Sequence, residues 1–317
     1  MTKKSRSFIA VDIFLIIMMI LPLLFGITVK VLTTPVSEGI TVSGARILID
    51  IPISLPPPFN LFITEANINS WTVMISIFAL CLFLTHGIKT KADTKRQHAA
   101  EWIVEKCEGL VNGNMGEYFS GFAPFIAAII ALSAFSSLQS LLGLYPPTSD
   151  LNVVGGWAIL VFFLITYYKC KCGPLHYLKS FTEPVPLLTP MNIISELATP
   201  ISMAFRHYGN VISGTVISTL VAAGLQGLSA MIFGNLPGVL GTIPFLQIGL
   251  PAILSVYFDV FSGCLQAYIF AMLTMMYVSG GFPFEEFEKR KEKKKLKKTK
   301  KEDKSKKAAK RQTTEVN

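Results

Sequence analysis

Between Pro184 and Phe284 the chain is almost wholly apolar, and its only formally charged residues there are Glu196, Arg206 and Asp259. A charge held within lipid costs at least about 2.5 kcal/mol, so each of the three needs a function, a partner or water. Arg206 is the hardest to accommodate. A guanidinium stays protonated at any accessible pH and cannot shed its charge as a carboxyl or a lysine can. One permanent cation and two titratable carboxylates suit the movement of ions better than the breaking of bonds.

Spacing extends the set. Asn192, Glu196, Thr199, Arg206, Asn210 and Ser213 follow in steps of four, three, seven, four and three, which puts them on one stripe of a helix. Ser255, Asp259, Ser262 and Gln266 repeat the pattern in steps of four, three and four. Two polar faces can form a common lining, and a polar stripe in lipid implies a path. Ser202, Thr215 and Ser262 read as hydrogen-bonding contacts between helices. His207 lies about 100° around the helix from Arg206 and reads as a packing residue. Gly209, Ser213, Gly214 and Gly224 are small enough for a neighbouring helix surface to approach or slide past.

The elements that must hold these residues follow from composition. With 51% hydrophobic and 15% charged residues over 317, the chain is too apolar for a soluble fold and reads as an all-α, polytopic membrane protein. A helix needs roughly 20 apolar residues to cross the hydrocarbon core. Candidate spans lie at 8–29, 71–88, 122–142, 151–168, 186–226 and 248–281. The fifth exceeds a perpendicular crossing, so tilt or bending is expected, with Pro190 and Pro200 as candidate bends.

Lysine and arginine set the orientation. They cluster before the first span (Lys3, Lys4, Arg6), after the second (Lys89, Lys91, Lys95, Arg96) and after the fourth (Lys169, Lys171, Lys179), so these sides and both termini are expected to be cytoplasmic. The first span is expected to be kept as a helix and not cleaved as a leader, because Asp12 interrupts it and no small-residue cleavage site follows. Residues 93–110, with Trp102, Ile103 and Leu110 among charges, suit an amphipathic surface helix. The division is therefore 1–32, an N-terminal membrane helix; 33–70, an extracytoplasmic segment; 71–284, the core; and 285–317, a Lys-rich disordered tail. That tail carries 15 of the 29 Lys/Arg and 7 of the 20 Asp/Glu. It reads as a cytoplasmic partner of anionic headgroups, with nucleic acid not expected.

Cys81, Cys107, Cys170, Cys172 and Cys264 are an odd set, mostly in or beside apolar segments, which argues against a disulfide framework, and the Cys170-x-Cys172 pair lacks partner ligands for a metal. The chain has no Walker-type phosphate loop and no nucleophile triad on one face, so no cofactor, metal or nucleotide site is expected. No fixed-period repeat appears, which weakens a reading as a duplicated transporter.

The stretch Pro200-Ile-Ser-Met-Ala-Phe-Arg206-His-Tyr-Gly209-Asn210-Val-Ile-Ser-Gly214 resembles the P-x-S-x-x-x-R-x-x-G-N-x-x-x-G signature of subunit a of F-type ATP synthases. Asp259-Val-Phe-Ser-Gly-Cys-Leu-Gln266-Ala267-Tyr-Ile-Phe270 resembles that family's last-helix motif. The likeness runs from about Trp71 to Gly280 and includes the turn at 147–149.

The resemblance implies a non-catalytic subunit of the membrane (Fo) sector whose last two helices form a long tilted hairpin against a ring of c subunits. Subunit b and the other synthase subunits would be its partners, in a bacterial inner membrane. It implies two offset half-channels that carry H+ or Na+ to and from the ring. Arg206 would be the stator charge, Asp259 and Gln266 would line the outer half-channel, and Asn192, Glu196 and Asn210 would serve the inner side or the junction. The chain departs from the pattern at Thr215, where many members carry Glu or His, and at Thr199, where many carry a basic residue. A stand-alone channel, a secondary transporter and a purely structural anchor are the competing readings.

Overall fold

A computed structural model describes residues 6–33, 44–50, 62–89, 94–173, 177–179, 181–182, 186–234, 246, 249–284, 287–289 and 292. Among the described residues, six helical stretches are long and apolar enough to cross a membrane: Phe8–Thr33, Glu65–Thr85, Glu117–Leu142, Leu151–Lys169, Pro186–Phe233 and Leu250–Gly280. The helices are α1 (Arg6–Thr33), α2 (Glu65–Thr85), α3 (Lys95–Met115), α4 (Ala123–Leu138), α5 (Leu151–Lys169), α6 (Thr189–Phe233) and α7 (Leu250–Gly280). The all-α, polytopic expectation holds. The Lys-rich tail at 293–317 lies outside the described residues.

Two boundaries move for local reasons. The second span begins at Glu65, not 71, because Thr64 caps it: its hydroxyl accepts from the Asn67 amide at 3.4 Å, and Glu65 sits favourably in the positive first turn. The segment 33–70, expected only to be extracytoplasmic, contains an antiparallel ribbon, β1 (Ile47–Asp50) against β2 (Phe62–Thr64), which leads directly into that cap. Of the two candidate bends, Pro190 falls in the first turn of α6, where a missing amide hydrogen is harmless, while Pro200 lies inside it.

The chain forms two compact units, one of Met1–Ile159 with Pro200–Met275, the other of Leu160–Thr199 with Met276–Asn317. In the first, α1 packs along α2. Asp12, which as sequence only interrupts an apolar run, accepts from Arg96 Nη1 at 2.9 Å and lies 2.9 Å from His86 Nδ1, so it ties α1 to α2 and α3. The 93–110 expectation becomes α3, capped by Thr94, with Trp102 and Ile103 exposed and Val111 and Met115 buried.

Apolar packing around α6 sets its rotation within this unit. Ala204 meets Val154 and Ala158 of α5. His207 is fully buried, with Nε2 3.2 Å from Ser133 Oγ and the rings of Trp157 and Phe270 edge-on to it. It packs, as its position around the helix implies. The second unit is smaller. In it Lys171 lies over the rings of Tyr168, Phe282 and Phe287.

Candidate functional site

The residues around Asp259 are set by an irregularity the sequence pattern hides. Val256–Ser262 is a π-helical turn between the α-helical Leu250–Ser255 and Gly263–Gly280. Bonding from i to i+5 turns each residue through less than the α-helical 100°, so a stripe counted at 3.6 residues per turn does not hold across it. Ser255, Asp259, Ser262 and Gln266 accordingly part company. Ser255 and Asp259 face a cavity, Ser262 meets Asn210, and Gln266 is buried at 5% exposure.

That cavity measures about 330 Å³ and is lined by polar groups from several elements. Thr215, Ser218 and Thr219 come from α6, Ser140 from the end of α4, Tyr145 from the following turn, and Lys30, Arg46 and Glu65 from the N-terminal part. Its size admits several waters, and its lining supplies the partners they need. Tyr145 donates to the Ser149 carbonyl at 3.1 Å, and burial first, then the nearby Asp150 carboxylate, pushes its phenol up to about 12.

Beside the cavity, α6 and α7 are pressed together by Gly214. A Cβ at this glycine would stand 2.9 Å from Phe258 Cβ, inside any normal contact. Four residues before Gly214, Asn210 and Ser262 exchange hydrogen bonds: Asn210 Nδ2 lies 2.8 Å from Ser262 Oγ, and that hydroxyl lies 3.1 Å from Asn210 Oδ1. Asn210 is therefore part of the helix contact, and Ser262 has the gluing role its residue type implies.

Arg206 is exposed on the flank of α6 and forms no hydrogen bond or ion pair among the described residues. It lines neither this cavity nor the one below.

In the second unit the sequence reading missed a partner. Glu196 is not a lone carboxylate: Lys169 Nζ donates to its Oε1 at 2.7 Å and to its Oε2 at 2.6 Å, and the Tyr177 hydroxyl donates to Oε1 at 3.4 Å. Glu196, Lys169, Thr199 and Tyr277 line a second cavity of about 220 Å³. Asn192 stands outside it and donates to the Phe181 carbonyl at 2.8 Å, fastening the preceding segment to α6. Of the six sequence-derived site residues, two reach cavities, Asp259 and Glu196. The additional lining groups Lys169, Glu65, Lys30, Arg46 and Tyr145 carried no sequence signal beyond lying near a span end.

The family model for the ATP synthase A chain matches residues 68–279. Three proteins named ATP synthase subunit a are similar to the chain. That of Bacillus pumilus is 32% identical, over 70% of this chain and 91% of its own length. The Legionella pneumophila protein is 28% identical, over 73% and 92%. The Anoxybacillus flavithermus protein is 30% identical, over 70% and 93%. The matched stretch runs from the first turns of α2 through nearly all of α7 and so contains Arg206, Asp259, Glu196 and the Asn210–Ser262 contact, and on this ground the chain belongs to the ATP synthase A chain family.

Proposed function

We propose that this chain is the ion-translocating stator subunit in the membrane sector of a rotary ATP synthase, passing protons through two half-channels to and from a rotating ring of carboxylate-bearing subunits. Arg206 carries the reading. It is a permanent cation, exposed on a helix that membership of the family and mean apolarity both put in lipid, with no anionic partner among the described residues. A passing ring carboxylate is the partner that would make it tolerable. The cation would attract that carboxylate in its deprotonated form, help it release its proton, and bar leakage between the half-channels. Gly209 on the same helix keeps its open surface low.

In this reading the cavity holding Asp259 serves the outer half-channel and the cavity holding Glu196 the inner one, with Gln266 and Asn210 near the junction and Asn192 toward the inner side. The orientation rests on the cytoplasmic basic clusters, so both termini face the cytoplasm of a bacterium and the Lys-rich tail meets anionic headgroups or the other synthase subunits, subunit b among them. Each charge crossing the membrane yields about 2.3 kcal/mol per 100 mV, which reaches ATP synthesis only if every ion rides the ring. Family membership does not favour a stand-alone channel or transporter.

The test is Arg206→Ala in the complex reconstituted into vesicles. The expected result is loss of ATP-driven proton pumping, with a passive leak across the vesicle membrane. Arg206→Lys should also fail, because an ammonium lacks the planar fork and can lose its proton. Normal pumping by the Ala variant overturns the reading.

A further inference from the structure

Five titratable or charged groups line the larger cavity: Lys30 from α1, Arg46 from just before β1, Glu65 from the first turn of α2, Tyr145 from the turn after α4, and Asp259 from α7. The Lys30 ammonium donates to the Gly143 carbonyl, and Arg46 Nη1 donates to the Thr33 carbonyl at 3.3 Å. Neither is a carboxylate, and both are engaged as donors to backbone oxygens. Tyr145 keeps its proton, being pushed up to about 12. Thr215 presents only a hydroxyl, which does not ionise. Among the lining residues that leaves one group besides Asp259 whose chemistry allows it to gain and lose a proton.

Glu65 is held for that task. Its backbone amide donates to the Arg46 carbonyl at 2.9 Å, which fixes it to the strand end, and Thr64 caps the helix beneath it. Its Oε1 is buried and has no hydrogen-bond partner among the described residues, so protonating the carboxyl breaks no bond there. Lys30, Arg46 and Glu65 all precede residue 68, where the match to the family model begins.

We infer that Glu65 is a second proton-carrying carboxylate of the cavity that holds Asp259, and this rests on the reading of that cavity as the outer half-channel. The Glu65 carboxylate takes a proton from a hydronium ion entering the cavity, leaving water, and becomes the neutral acid. It hands the proton through cavity water to the Asp259 carboxylate and returns to its ionised form. Proton transfer of this kind needs groups within hydrogen-bond reach or linked by water, and a cavity of about 330 Å³ lined by hydroxyls provides the link.

The bland role of an acidic residue in a first helical turn is to offset the helix dipole, and the experiment separates the two. Complexes carrying Glu65→Gln, Glu65→Asp and, separately, Asp259→Asn are assembled and reconstituted. Subunit incorporation and the pH profile of ATP-driven proton pumping are measured for each. A relay predicts that Glu65→Gln assembles normally, pumps severalfold more slowly with an altered pH profile, and is restored by Glu65→Asp. Reduced incorporation with an unaltered pH profile assigns Glu65 to the helix start and overturns the inference. Unchanged pumping in Glu65→Gln while Asp259→Asn is impaired overturns the role of Glu65 alone. Unchanged pumping in both overturns the reading of the cavity as a path.

Discussion

Lys169 holds both carboxylate oxygens of Glu196, at 2.7 and 2.6 Å, with the lysine and glutamate side chains 25% and 17% exposed. The pair joins the last turn of α5 to the second turn of α6 and lines a cavity with Thr199. Thr199 carries no charge, so the cation facing Glu196 in this cavity comes from α5.

Removing either partner leaves a half-buried charge without compensation, so each single substitution should be worse than removing both. Lys169→Met and Glu196→Gln are expected to lower the stability of the assembled subunit, and the double variant should recover part of the loss. A coupling energy on the order of 1–3 kcal/mol is expected from a cycle of melting measurements on the solubilised complex. Strictly additive effects would show that the two side chains do not act as a pair.

The contact of α6 with α7 at Gly214 predicts a steric effect. Gly214→Ala brings a methyl to within 2.9 Å of Phe258 Cβ, and overpacking of this kind costs about 1–3 kcal/mol. Subunit yield and pumping should both fall. Phe258→Ala in the Gly214→Ala background removes Cγ and Cδ1, which the new methyl would meet at 3.0 Å, but keeps Cβ, so it should raise both only in part. Full tolerance of Gly214→Ala would contradict the close approach.

The helices were legible because span length and apolarity are local properties, and five of the six spans start within about five residues of where the ruler puts them. The second starts earlier because a Thr64 cap, not hydropathy, decides where a helix begins. Asp259 and Glu196 were legible because a carboxylate in an apolar run is costly whatever surrounds it. Their partners were not: Lys169 looked like one more orientation-setting lysine, and Asp12 looked like a flaw in a span, although each is an ion-pair partner contributed by another helix. The α7 stripe failed for a different reason. Period counting assumes uniform helical geometry, and Val256–Ser262 is not α-helical. Glu65 was unreadable because only the tertiary fold carries the chain before residue 68 to the wall of the cavity.

Tyr145 gives the pH prediction. Its phenol is raised from 10.0 to about 12, mainly by burial and then by Asp150, so the folded state holds that proton more tightly than the unfolded state. A raised folded value means that the phenol's contribution is fully present below pH 10 and is lost as pH rises toward about 12. Melting of the solubilised complex should show this alkaline loss in the natural protein. Tyr145→Phe should lack that component while losing about 1 kcal/mol at neutral pH from the missing bond to the Ser149 carbonyl. An identical alkaline slope in both proteins would assign it to other groups.

Thr215 and Asp259 come from different helices and line the same cavity. If the cavity is a proton path, what it needs is an ionisable group on its wall, and which helix supplies that group is secondary. Asp259→Asn removes the carboxylate while keeping size and polarity, so pumping should slow with the subunit still assembled. Adding Thr215→Glu to that variant returns a carboxylate to the wall one helix away, and pumping should recover in part. The recovery should be incomplete, because the introduced group enters a surface shaped for a hydroxyl that now bonds to the Val211 carbonyl at 3.1 Å. Two controls decide the cause. Thr215→Gln in the Asp259→Asn background offers similar bulk without a titratable proton and should not recover. Thr215→Glu alone should pump at least as well as the natural chain. Equal recovery by Gln and Glu would mean that packing, not proton transfer, limits the Asp259→Asn complex.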